Sequence, residues 1–344
     1  MLVRKFEEEY KSIAHSYLAD NSHRSYLTGK RAFVKFMLQH GYAPIVPASD
    51  RHIALFVVFL VQRQKLLVSS AKQYLFGVRA LHLESGHDWR VWSERFLVYQ
   101  AFRACKRLFG ERINEGRPTK LEITFETLLD LRAVAFSTAV VARTGKENVT
   151  TFWAVCLVLF FGLLRKDNVT VAKKSAFNPN RCLAREDFSS DPHGNTQLKL
   201  RWSKVIQFSE RYHVITYVRT GGVLCPCRAI TAAFAATPPH ASHLGPAFQW
   251  KVGRQFTPLT HATFTRFLKK CIDLTGRESA NYSGISFRRG GASAGALLGA
   301  DHELIKELGD WKSDAYLRYT RRPEKQRLAL PRMLAEAATK AARV

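Results

Sequence analysis

The sequence predicts a mainly α-helical protein of two domains, with a small antiparallel β-sheet confined to the second. Three observations carry this expectation. Apolar residues recur at helical spacing through the first third of the chain. A charged, aperiodic segment from Glu111 to Glu122, containing Gly116 and Pro118, then interrupts the pattern as an interdomain linker would. Strand-like alternation is confined to a section beginning at Gln197, where Leu198, Leu200 and Trp202 alternate with Lys199, Arg201 and Ser203. A length of 344 residues also exceeds the roughly 100–200 residues usual for one domain. The expected division is a helical domain over residues 1–112, a linker over 113–121, and a second domain over 122–344.

The elements follow in order. Tyr26, Phe33, Phe36 and Met37 share one face of a first helix. His52 to Gln64 is almost wholly apolar and reads as a central helix. Ala71, Tyr74, Leu75, Val78 and Leu81 recur at i, i+3, i+4 spacing, and Gly77 among them points to close helix packing. Ser93 is the expected N-cap of a helix that runs to Gly110. Beyond the linker come helices over Phe125 to Phe136 and Lys146 to Leu164, a strand over Gln197 to Phe208, and a returning strand over Arg211 to Val218. Phe208, Ser209 and Glu210 form the expected turn between the strands. Helices resume at Thr260, Ser286 and His302.

Composition narrows the function classes. A hydrophobic content of 46 % with 12 % aromatics supports packed cores and excludes a disordered chain. The net charge of +25 points to a polyanionic partner, nucleic acid before an anionic membrane surface. The six cysteines are scattered, as in a reducing compartment. Cys225 and Cys227 stand too close together for the usual zinc-knuckle spacing, and no metal or cofactor is expected. The start, MLVRKFEEEYKS, has no apolar stretch of signal-peptide type. The longest apolar run, Phe152 to Leu164, is shorter than the roughly 18–20 residues that span a bilayer. It reads instead as a buried helix that delivers Arg165 to a site. An intracellular, DNA-associated protein is expected, nuclear in a eukaryotic source.

The residues that carry chemistry are two arginines far apart in sequence, Arg165 and Arg288, and Tyr319 shortly after the second. Two guanidiniums can clamp the non-bridging oxygens of a phosphate in a geometry a lysine cannot reproduce. A tyrosine hydroxyl can attack phosphorus and leave a covalent phosphotyrosine. Tyr316 is a competing nucleophile. Arg289 reads as a structural or DNA-backbone residue, and His213 and His261 as surface or capping residues.

FFGLLRKDNV, LAREDF, LRWSKVIQF, GVLCPCRAI, SFRRGGAS and ELGDWKSDAYLRY, in that order, resemble the tyrosine recombinases of the phage-integrase-like family, and among them those of DIRS-like eukaryotic mobile elements. YLFGVRALHLESG in the first third resembles their helical core-binding domain. The resemblance covers about Trp153 to Tyr319. It implies the DNA-breaking-rejoining enzyme fold, a helical SAM-like core-binding domain followed by an α+β catalytic domain. It implies that Arg165 and Arg288 bind the scissile phosphate, Lys204 protonates the leaving 5′ oxygen, Trp311 donates its indole N–H, and Tyr319 attacks. Lys199 is the alternative general acid. The implied partner is double-stranded DNA, held between the two domains as in a clamp. The implied assembly is a homotetramer on two sites, with a dimer on each and exchange through a Holliday junction.

Two positions depart from the family pattern. Ile285 stands where the family has the histidine of its His-x-x-Arg motif, and isoleucine can neither accept a proton nor hydrogen-bond a phosphate. Asp310 falls at the later histidine-or-tryptophan position, with Trp311 one residue on as its functional equivalent. A recombinase-derived DNA-binding protein without catalysis is therefore the second reading. A basic RNA-binding protein is the third, and relaxation of the type IB topoisomerase kind is a possible side reaction of the same chemistry. After Tyr319, the residues Leu328, Leu330, Met333, Leu334 and Ala337 offer an apolar face, either for a neighbouring protomer or for the chain's own second domain.

Overall fold

The computed structural model describes residues 6, 8–10, 13, 17–110, 120–208, 210–238, 245–318 and 331–335. The chain forms two compact units, Met1–Pro118 and Thr119–Val344. Most of the expected linker lies outside the described residues. Leu121, at its end, donates its backbone N–H to the Asn281 carbonyl (2.7 Å) and so belongs to the second unit.

The first unit is helical: α1 (Asp20–Gln39), α2 (Asp50–Val58), α3 (Val68–Glu84) and α4 (Phe96–Phe109). Its core holds Phe33, Phe36, Met37, Ile53, Phe56, Ala71, Leu75 and Val78, the positions that helical periodicity places on inward faces. Gly77 has the role expected of it. A Cβ there would lie 2.8 Å from both the Gly29 Cα and the Lys30 nitrogen, so α3 crosses α1 backbone to backbone. α2 gives way to a π-helical turn, Phe59–Arg63. One expected cap is wrong. α4 starts at Phe96, and Ser93 lies in a short 3-10 turn, Trp92–Glu94. Arg95 is the N-cap residue instead, without a side-chain capping bond; its guanidinium pairs with Asp50 (2.9 Å), donates to the Arg90 carbonyl (3.3 Å) and lies 4.4 Å over the Trp89 ring.

In the second unit, α5 (Phe125–Ala135) and α6 (Thr138–Thr144) precede α7 (Lys146–Phe161), which is buried along nearly its whole length and forms the spine of the core. The short α8 (Lys166–Val169) follows directly. A three-stranded antiparallel sheet has the order β1 (Phe188–Ser190), β2 (Thr196–Leu200), β3 (His213–Tyr217), with Leu198 opposite Ile215 and Leu200 opposite His213. α9 (Pro226–Ala236) packs on α7, and the hairpin β4 (Gln249–Val252) and β5 (Gln255–Pro258) leads into α10 (His261–Leu274), α11 (Gly284–Leu297) and α12 (His302–Leu308). α6, α8, α9, β1 and the β4–β5 hairpin are additions to the sequence reading.

The strands are shorter than their alternation suggests. β2 ends at Leu200, and the next residue, Arg201, pairs through its guanidinium with Asp187 (2.7 Å) and Glu186 (3.2 Å) just before β1. β3 begins only at His213, so Phe208 and Glu210 of the expected turn belong to a longer connection, 201–212, while Ser209 lies outside the described residues. Lys204 thus lies in this connection and not on a strand. Among the described residues, no helix is long and apolar enough to cross a membrane, and no cluster of His, Cys, Asp and Glu suits a metal ion.

Candidate active site

Arg165 stands where α7 ends. The spine helix closes at Gly162, Leu163 takes a left-handed backbone (φ 47°), and the chain emerges at Arg165 as the N-cap of α8. The Arg165 backbone N–H donates to Asn168 Oδ1 (3.0 Å), and the Asn168 N–H returns a bond to the Arg165 carbonyl (2.9 Å). The backbone is thereby fixed while the half-buried guanidinium has no pairing partner among the described residues.

Arg288 sits in the first turns of α11 and is only 2 % exposed. Its guanidinium donates to the Leu163 carbonyl and, at 2.7 Å, to the Gly309 carbonyl. The guanidinium lies over Trp311, with its carbon 3.7 Å from the ring centroid. Burying a cation costs several kcal/mol unless it is paired or bonded. Here each charge-assisted bond returns about 1.5–3 kcal/mol, and a desolvated cation–π contact about 2 kcal/mol. Arg288 therefore ties the turn before Arg165 to the turn before Trp311.

Trp311 is 8 % exposed and joins Leu163, Ala292, Ala296, Ile305 and Tyr316 in a small core. Its ring lies directly over Gly309, in the space a Cβ would need. Tyr316 is 3 % exposed, with its ring 5.8 Å from Trp311 and 5.7 Å from His302. It is a core residue, in a short 3-10 segment that ends at Arg318. Tyr319 lies outside the described residues.

Lys204 is exposed, at the tip of a tight turn in which Ser203 and Ile206 exchange backbone bonds (3.2 and 3.1 Å). Ser203 Oγ accepts from the Val205 and Ile206 amides (3.1 and 3.2 Å) and stiffens that turn. Its ammonium has no pairing partner among the described residues. Lys199 lies on β2, with its ammonium 4.2 Å from the Tyr212 ring centroid.

Ile285 is half-buried in the first turn of α11. Its neighbour Gly284 lets the Lys166 side chain lie against the helix start, since a Cβ there would meet Lys166 Cβ at 2.7 Å. His261 bonds Thr170 Oγ1 (2.6 Å) and lies 3.5 Å from Asp167. Burial first, and then the Lys166 charge, hold its imidazole below the ordinary range against the opposing pull of Asp167. His213 Nε2 bonds the Leu308 carbonyl (3.0 Å). Asp310 has φ 50° and pairs with Arg211 at 2.5 Å. Arg211 has no distinguishing signal in the sequence.

Three separate stretches thus converge: the turn leading to Arg165, the start of α11 with Arg288, and the Gly309–Trp311 turn. The Lys204 connection is joined to the last of these. Of the C-terminal apolar face, residues 331–335 are helical with Met333 and Leu334 exposed, while Leu328, Leu330 and Ala337 lie outside the described residues.

No protein-family model matches the sequence, and no curated protein matches it. Solved structures do match the fold. XerH site-specific recombinase bound to palindromic difH substrate, in a post-cleavage complex, is 13 % identical with a TM-score of 0.58, over 89 % of this chain and 76 % of that one. The Tn1549 transposon integrase in complex with a circular intermediate DNA is 11 % identical with a TM-score of 0.55, over 97 % of each chain. A lambda integrase tetramer bound to a Holliday junction is 13 % identical with a TM-score of 0.52, over 93 % and 77 %. The fold, mainly helical with a small antiparallel sheet, is that of the tyrosine recombinases.

Proposed function

We propose that the protein is a site-specific DNA recombinase that cuts and rejoins duplex DNA through a 3′-phosphotyrosyl intermediate. The observation that carries this reading is the bonding of Arg288 to the Leu163 and Gly309 carbonyls. It ties the turn before Arg165 to the turn before Trp311, which supports one phosphate site served by both arginines. Arg165 takes the first non-bridging oxygen of the scissile phosphate. Arg288 takes the second, once the incoming duplex uncovers the guanidinium edge that is now buried. Trp311 holds the Arg288 plane and offers its indole N–H.

Tyrosine has an unperturbed pKa of about 10, so neighbouring cations must lower the cost of ionising Tyr319. Its phenol proton passes to water, and its oxygen forms a bond to phosphorus as the bond from phosphorus to the 5′ oxygen breaks. The Lys204 ammonium gives its proton to that oxygen. Rejoining runs the same step in reverse, with a 5′ hydroxyl from the partner strand. Preorganised positive charge supplies the stabilisation of the phosphorane.

In this reading residues 1–112 bind DNA, 113–121 link, and 122–344 carry catalysis and a C-terminal interaction helix. Four copies act on two sites, a dimer on each, and the exposed Met333 and Leu334 suit a neighbouring protomer. Mobile-element integration or excision is the biological class that fits, and the +25 charge fits DNA association.

The test is to express the protein and its Tyr319→Phe variant, denature the lysate, and sequence the DNA that stays covalently attached. Adducts with tyrosine and none with phenylalanine are expected, and they reveal the site. DNA bound natively by both proteins, with adducts from neither even on a nicked trapping substrate, overturns the reading in favour of a DNA-binding protein without catalysis. Ile285 favours that second reading, and Ile285→His tests it. A large gain in cleavage identifies a damaged site.

A further inference from the structure

Resting on the function proposed above, we propose that Arg211 and Asp310 form a positioning pair that locks the Lys204-bearing connection onto the turn shared by Arg288 and Trp311. The two are 99 residues apart in sequence and meet at 2.5 Å. Asp310 is the middle residue of Gly309–Asp310–Trp311, whose first carbonyl accepts from Arg288 and whose last ring lies against it. Arg211 closes the far end of connection 201–212, and Arg201 closes the near end through Asp187 and Glu186. Lys204 is suspended between these two arginine anchors, in a turn of its own.

Asp310 suits this task. Its left-handed backbone is one that aspartate tolerates better than most residues. Its side chain is only 15 % exposed, and Oδ2 is buried without a hydrogen-bond partner among the described residues. Arg211 is the group that neutralises it. The His213 bond to Leu308 keeps β3 near α12 in either case, so the ion pair governs the connection and not the sheet. A general acid must reach within about 3 Å of the atom it protonates, so a slack connection misplaces the Lys204 ammonium.

The experiment uses the full chain with Arg211→Gln, Arg211→Lys, Asp310→Asn and Lys204→Ala. Asparagine keeps the shape and the left-handed tolerance of Asp310 while removing its charge. Cleavage is measured on duplexes carrying the site recovered as covalent adduct, with either oxygen or sulfur at the scissile 5′ position. A thiolate leaves without protonation because thiols have a pKa of about 8.5. Arg211→Gln and Asp310→Asn are expected to slow cleavage of the oxygen substrate about 100-fold. They should cut the sulfur substrate near the wild-type rate, as Lys204→Ala does, while Arg211→Lys stays near wild type on both. Equal losses on both substrates, or no loss, overturn the proposal.

Hydrogen exchange on the DNA-free protein gives a second reading. Amides of 202–210 should exchange about tenfold faster in Arg211→Gln and Asp310→Asn, and unchanged rates overturn the lock. If Lys204→Ala gains nothing from sulfur, the general-acid role proposed for Lys204 falls, while exchange still decides whether the pair holds the connection.

Discussion

The Arg288 guanidinium lies over Trp311, its carbon 3.7 Å from the ring centroid, while donating to the carbonyl of Gly309, two residues before that tryptophan. One side chain thus fixes both the turn and the ring. Removing it strands two carbonyls and bares a buried ring face. Arg288→Ala should cost about 2–4 kcal/mol of stability in the second unit, read from urea unfolding. Arg288→Lys should recover only part of that, because a single ammonium cannot span both carbonyls in the guanidinium plane.

Tyr316 and Tyr319 should separate cleanly. Tyr316 is packed between Trp311 and His302, so Tyr316→Phe keeps its ring contacts and should retain covalent adduct formation, with a stability change under about 1 kcal/mol. Tyr319→Phe should abolish the adduct. Loss of adduct in Tyr316→Phe would reassign the nucleophile.

Lysine variants should differ as sharply. Lys204→Ala should reduce cleavage about 10²–10⁴-fold, the usual worth of a general acid. Lys199→Ala removes a contact with the Tyr212 ring at the strand surface and should change the rate by less than about threefold. Single-turnover cleavage of the recovered site distinguishes them.

Gly77→Ala should destabilise the first unit by about 1–3 kcal/mol, because its Cβ would collide with the α1 backbone, closest at the Tyr26 carbonyl and 2.8 Å from Gly29 and Lys30. Backbone atoms cannot yield as a flexible side chain would. Exchange of the α1 and α3 amides should rise together, and a change confined to α3 would show that the two helices do not act as one packed pair.

His82 makes the first unit acid-sensitive. It is 1 % exposed, with Nδ1 bonded to the Val78 carbonyl (2.8 Å) and Nε2 accepting from the Ala48 N–H (2.9 Å). Burial holds its pKa below the ordinary 6.5, more strongly than the Val78 bond raises it. The unfolded chain therefore binds the proton first. The stability from neutral His82 is complete above pH about 6.5 and is lost as pH falls from there toward the folded value. Thermal unfolding of the first unit should show this loss, and His82→Gln should flatten it.

Local sequence determined a good deal of this protein. Helical spacing of Phe33, Phe36 and Met37, or of Ala71, Leu75 and Val78, selects the buried faces because side-chain direction repeats every 3.6 residues. Gly77 marked a close crossing, and the apolar run ending at Arg165 marked a buried helix with a polar delivery point. The order of motifs pointed to the fold that the solved structures share. Tertiary structure decided the rest. Alternation runs past Leu200, yet the strand stops there, and Arg201 pairs with Asp187 across the sheet. The burial of Arg288 depends on the Leu163 and Gly309 carbonyls, and the capture of Asp310 on an arginine 99 residues away. Periodicity reports which way a side chain faces along its own element. It carries no information about which distant charge or carbonyl will be waiting there, and that is where this site is built.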